Sequence, residues 1–155
     1  MKSLAEKTHA VELLDLLSAR ILSGNNEPIL GYTEVAKMIN WTKGANFGPA
    51  VGKVTSHLDY ACFISGLPML AVYYVRDSNG EINPRSFGGV WGPYRNEIVD
   101  TVSFYQWKQA DFDKIRCTLI NSNNDSCVLL WDEVIKRGNE FIRYNLHRHI
   151  NKGFC

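Results

Sequence analysis

The sequence predicts a protein of the α/β (α+β) class: a winged helix-turn-helix core with a β-hairpin wing and a C-terminal helical extension. Three observations point there. Two helical patterns, Glu34 to about Ile39 and about Asn46 to Ser65, flank a polar connection. The run Leu70-Ala71-Val72-Tyr73-Tyr74-Val75 is rich in β-branched and aromatic residues, and Asn79-Gly80 soon after it supplies the positive φ angles of a hairpin turn. The chain has 155 residues, 45% of them apolar, which suits a single domain over 1–155 that buries a core without staples. Within it, 29–87 reads as the winged-helix-like core and 88–155 as the extension.

The first helix runs from about Leu4 to Leu22, with Val11, Leu14, Leu17, Ser18 and Ile21 at the spacing of a buried face. Gly24 is its expected C-cap. Ile29-Leu30-Gly31 is extended, and Thr33 is the expected N-cap of the second helix, with Glu34 suiting the dipole in its first turn. In the third helix the apolar face is Phe47, Ala50, Val51, Val54, Leu58, Ala61 and Cys62. Pro49 is tolerated only in a first turn, and Gly66-Leu67-Pro68 stops the helix. The strand Leu70–Val75 then turns through Asp77-Ser78-Asn79-Gly80 into a return strand around Glu81 to Phe87, held to an edge by Pro84.

Beyond the hairpin, Gly88 to Pro93 reads as a loop, and Glu97 to Trp107 fits strand and helix equally. Phe112 to Ile120 is a helix capped by Asp111. A last helix, Asp132 to Lys152, turns Val134, Ile135, Ile142, Leu146 and Ile150 inward.

Net charge is +1, from 17 Lys+Arg against 16 Asp+Glu, so only local clustering bears on nucleic acid. The distribution is uneven. Between Glu34 and Asp59 there is no carboxylate, while Lys37, Lys43, Lys53 and His57 lie there with Asn46, Thr55 and Ser56. Phosphates need cations and neutral donors without nearby anions. Gly48, Gly52 and Ser56 recur every four residues and form one small face, open to a DNA strand or to another helix. Arg76 and Arg85 flank the hairpin turn, within reach of phosphate on a wing.

No nucleophile elbow or P-loop is present, and His147 and His149 are two apart, the wrong spacing for a shared metal on a helix. The expectation is therefore no catalysis, no metal and no cofactor. Cys62, Cys117, Cys127 and Cys155 form no Cys-x-x-Cys and read as small hydrophobes in a reducing compartment. No apolar stretch approaches the ~20 residues of a membrane span, so the expected location is cytoplasmic, with no membrane partner.

Gly31-Tyr32-Thr33-Glu34-Val35-Ala36, then Ala50-Val51-Gly52, then Leu67-Pro68 leading to Val75, with Gly80 at the following turn, resemble the DNA-binding domain of the O6-alkylguanine-DNA alkyltransferases and the alkyltransferase-like proteins. The resemblance implies a winged helix on double-stranded DNA, with Tyr32 at the family's DNA-backbone or base-displacing tyrosine. The family's Pro-Cys-His-Arg-Val falls on Ala71 to Val75, so Val72 stands at the nucleophile, and Pro49 stands at the arginine finger. Binding without alkyl transfer is the implication. The expected DNA-binding set is Tyr32, Thr33, Lys43, Asn46, Gly48, Gly52, Lys53, Ser56, His57, Arg76 and Arg85. Gly66-Leu67-Pro68-Met69-Leu70 also looks like a domain of phage and mobile-element proteins. The alternative partner is thus a host defence protein that this chain inhibits or assembles with.

Overall fold

The computed structural model describes residues 2–39, 41, 47–82, 93–123, 131–132, 134–138, 140 and 142–144. The order is α1 (Lys2–Leu22), β1 (Ile29–Leu30), α2 (Tyr32–Met38), α3 (Phe47–Ile64), α4 (Leu70–Tyr74), β2 (Val75–Arg76), α5 (Arg95–Phe104) and α6 (Gln109–Asn121). Short helical stretches farther on bring Val134 and Ile142 into the core, while Ile135, expected inward, is exposed.

Helix α3 is the centre, packed by α1, α2, α4 and α6. From His57 to Phe63 every side chain is buried, so this half of the helix faces protein all round. Against it α1 lays Ala10, Leu13, Leu14 and Leu17, all buried, while Val11, Ser18 and Ile21 are only half-buried. Both helices end in the same way. Asn25 N–H reaches Arg20 O at 2.9 Å around Gly24 (φ 92°), and Leu67 N–H reaches Cys62 O at 2.9 Å around Gly66 (φ 75°). These are Schellman closures, in which glycine takes the left-handed position and orphan carbonyls are satisfied.

The winged architecture is corrected by this structure. Leu70 to Tyr74 is helix, and only Val75–Arg76 is extended. The β-propensity of Leu70-Ala71-Val72-Tyr73-Tyr74 reports fit to a half-buried pleated surface, whereas here Leu70, Ala71, Val72 and Tyr74 are all buried. An acceptor from α3, the Asp59 carboxyl, takes the Ala71 amide at 2.8 Å in the first turn of α4. Tertiary burial and a long-range hydrogen bond override the local preference.

Strand β2 pairs with β1 in parallel, Ile29 against Val75 and Leu30 against Arg76. A parallel partner needs a crossover, here supplied by α2, α3 and α4, and excludes a hairpin between these strands. The turn at Asp77–Gly80 does form: Asp77 Oδ1 accepts the amides of Asn79 and Glu81, each at 2.9 Å, and Gly80 has φ 80°. It leads into Glu81 and Ile82, which are not strand, and the rest of the expected return strand lies outside the described residues. Among the described residues the fold is a helical bundle fastened by one two-stranded parallel pair.

Two capping expectations also shift. Thr33 sits inside the first turn of α2, whose N-cap is Gly31 (φ 92°). Asp111 is the third residue of α6, reaching back to accept the Lys108 amide at 3.0 Å. The stretch from Glu97 that fitted strand and helix equally is helical to Phe104, with Ile98, Thr101 and Val102 buried. Helix α6 is clasped to α1 by Lys7 Nζ, which donates to Ile120 O and Ser122 O at 3.1 and 2.8 Å, and by the Arg116–Asp15 pair. No helix among the described residues is long and apolar enough to cross a membrane.

Candidate binding face on α2 and α3

Helix α2 buries Val35 and Ala36 and leaves Thr33, Glu34, Lys37 and Met38 exposed. Helix α3 packs beside it, and Ala50 to Ser56 is more open than the fully buried run from His57 to Phe63. There Val51 and Val54 point to the core, Lys53 is exposed, and Gly52, Thr55 and Ser56 are half-exposed. With 3.6 residues per turn, Gly52 and Ser56 share one side, with Gly48 one turn before them and Lys53 beside them. A Cβ built on Gly52 would meet nothing within 4 Å. At Gly52 the small face is thus not a seat for another described helix.

On its own, α3 is electrostatically one-sided. Asp59 is the sole carboxylate of α3, and it is buried at 5% exposure, so the helix presents Lys53 without an exposed anion of its own. On α2, Lys37 and Glu34 pair at 3.4 Å in solvent.

The expected contact residues separate into groups. Thr33 is exposed on α2, Lys53 is exposed on α3 with Gly52 and Ser56 half-exposed near it, and Tyr32 is half-buried at the start of α2. His57 is 0% exposed, and its Nδ1 lies 3.2 Å from Glu6 Oε1 of α1. It joins two helices inside the protein and has no surface to offer a phosphate. Arg76 is half-buried and occupied: Nε donates to Tyr73 O at 3.1 Å, Nη1 to Gly80 O at 3.3 Å, and the guanidinium lies 4.8 Å from the Tyr73 ring centroid. It braces the 77–80 turn instead of projecting from a wing. Lys43, Asn46 and Arg85 lie outside the described residues.

One group escaped sequence reasoning. Asp59 had marked only the end of the carboxylate-free window, yet it is a buried acceptor that organises α4. A signal existed, since it stands inside Leu58-Asp59-Tyr60-Ala61-Cys62-Phe63, where a helix otherwise apolar all round would be buried. Burial holds its carboxyl up at about 8, against an ordinary 3.8, despite amide hydrogen bonds from Ala71 and Val72 that pull the other way. Burial, followed by the nearby Asp59, also pushes the Cys62 thiol up. A buried thiol held in its neutral form is a poor nucleophile, and Val72 is buried in α4. In comparisons with known proteins, no family model, curated protein or solved structure matches the chain.

Proposed function

We propose that this protein is a non-catalytic, cytoplasmic binder of double-stranded DNA, and that its contact face is the open side of α2 and the first turns of α3. The observation that carries this reading is Gly52. Glycine inside a helix is worth about 0.5–1 kcal/mol less than alanine. No described atom would touch a Cβ there, so packing among the described residues gives no reason for the glycine. An outside backbone that must come close does give one. Lys53 beside it supplies a cation, and α3 shows no exposed carboxylate to repel phosphate. No arginine lies on α3 to read guanine edges, so affinity would come from the sugar–phosphate backbone.

A gel shift over a salt series tests this, with duplex and single strand compared. Duplex binding should weaken with salt. Lys53→Ala should flatten the log–log slope by about 0.9, the value of one phosphate contact. Gly52→Arg should fold and fail to bind. Absence of duplex binding by the wild-type protein at low salt would remove the reading.

A protein partner is the second reading, of the kind a phage or mobile-element protein meets in a host defence protein. Leu30 of β1 and Met38 of α2 are large apolar side chains exposed at 50% and 43%. Such side chains suit an interface core better than a phosphate contact. Partner binding that ignores salt but is lost in Met38→Asp would favour it.

A further inference from the structure

The turn that follows β2 carries the one Asn-Gly pair in the sequence, Asn79-Gly80. Glycine has no side chain to screen its own backbone nitrogen, so that nitrogen can reach the carboxamide of the residue before it. Here the carboxamide is available. Asn79 is exposed, and its side chain has no hydrogen-bond partner among the described residues.

The turn holds the reacting nitrogen back. Gly80 N–H donates to Asp77 O at 3.0 Å, and Asp77 N–H donates to Glu81 O at 3.0 Å. Asp77 Oδ1 accepts the amides of Asn79 and Glu81, each at 2.9 Å. Gly80 N must therefore leave its bond before it can attack. The turn also rests on both strands. Arg76 Nη1 of β2 donates to Gly80 O at 3.3 Å, and a Cβ built on Gly80 (φ 80°) would lie 3.8 Å from Leu30 Cδ2 of β1.

We infer that Asn79 is a site of spontaneous backbone modification, restrained by the turn, and that its conversion releases Arg76 and loosens β2. The Gly80 nitrogen gives up its proton and bonds to Asn79 Cγ. The Cγ–Nδ2 bond breaks, and the side-chain nitrogen takes a proton and leaves as ammonia. The product is a cyclic imide, which water opens at either carbonyl. Opening at Cγ gives an aspartyl residue. Opening at the main-chain carbonyl gives an isoaspartyl linkage, whose backbone runs through Cβ and Cγ. Both products carry a new carboxylate, and nothing is oxidised or reduced. The isoaspartyl backbone is longer by one carbon inside a turn whose hydrogen bonds fix its length, so Gly80 O moves off Arg76.

The test uses the full chain and needs no DNA, so it stands apart from the binding reading. The protein is aged in warm, mildly alkaline buffer and followed by peptide mass spectrometry, with isoaspartyl content read by enzymatic methylation. Asn79 should gain one mass unit severalfold faster than Asn26, which is also exposed but precedes Glu27. A gain at Asn79 no faster than at Asn26 overturns the site. The restraint is read by comparing Asp77→Ala with Asp77→Asn, since both lack the charge and only the second keeps an oxygen acceptor. The alanine variant should age severalfold faster at Asn79, and equal rates overturn the restraint. For the consequence, the isoaspartyl form is separated from fresh protein by its added charge, and both are melted in denaturant, in the wild type and in Arg76→Ala. Modification should lower the midpoint of the wild type more than that of Arg76→Ala, where the clasp is already gone. An equal drop in the two overturns the release.

Discussion

A single hydrogen atom at Gly52 separates two explanations of the small face on α3. If the glycine serves something outside the protein, filling its open space should stabilise the fold. We expect Gly52→Ala to gain about 0.5–1 kcal/mol in a denaturant melt, because no described atom opposes the new methyl and alanine is the better helix former. A loss of stability would return the glycine to a packing role. Arg76 makes the opposite case. Its guanidinium is held by two carbonyls and a ring, so Arg76→Ala should lower stability by about 1–2 kcal/mol and leave the salt slope of DNA binding unchanged. Neither behaviour was fully legible in the sequence. Gly52 was visible as part of a four-residue spacing, but whether a neighbour filled that face depends on the whole bundle. His57 could have been read as core, since it sits one residue before Leu58 and three after Val54 on the buried stripe. Residue type alone suggests a cation on the surface, and the partner that takes it, Glu6, is far away in the chain.

At the level of elements, periodicity served where an element was long. Helices α1 and α3 lie within a residue or two of their expected bounds, because an apolar stripe over several turns and a closing glycine are strong signals. The stretch Leu70 to Val75 is short and apolar throughout, so period cannot separate a buried helix from a buried strand, and β-propensity favours strand. What decided it was a carboxyl from α3 and burial on several sides. The pairing of β1 with β2 left no local trace, since each strand has two residues. Contacts between elements also carry stability. Lys7 joins α1 to the last carbonyls of α6. Lys7→Met, which keeps the aliphatic stem, should lower stability by about 0.5–1.5 kcal/mol in thermal or denaturant unfolding. At the core of α3 the effect is larger: Leu58→Ala should cost about 2–5 kcal/mol, since its side chain is buried at 0% exposure.

For the whole molecule, the proposed reading is binding without chemistry. Incubated with DNA containing O6-methylguanine, the protein should show no methyl adduct on Cys62 by mass spectrometry, as burial keeps that thiol neutral and out of reach. A stoichiometric adduct would reverse this. The parallel pairing of Ile29–Leu30 with Val75–Arg76 has a consequence in time. The chain must lay down α2, α3 and α4 before the second strand can reach the first, and closing so long a loop spends entropy that two short strands return poorly. Loop-closing contacts of this kind slow folding relative to local helical ones. The strands would therefore be among the last parts to assemble and the first to open. Of the hydrogen-bonded backbone amides, that of Gly31, which reaches Arg76 O at 3.0 Å, should exchange with solvent early, and the end of the chain's folding would be timed by the pair that enters α2.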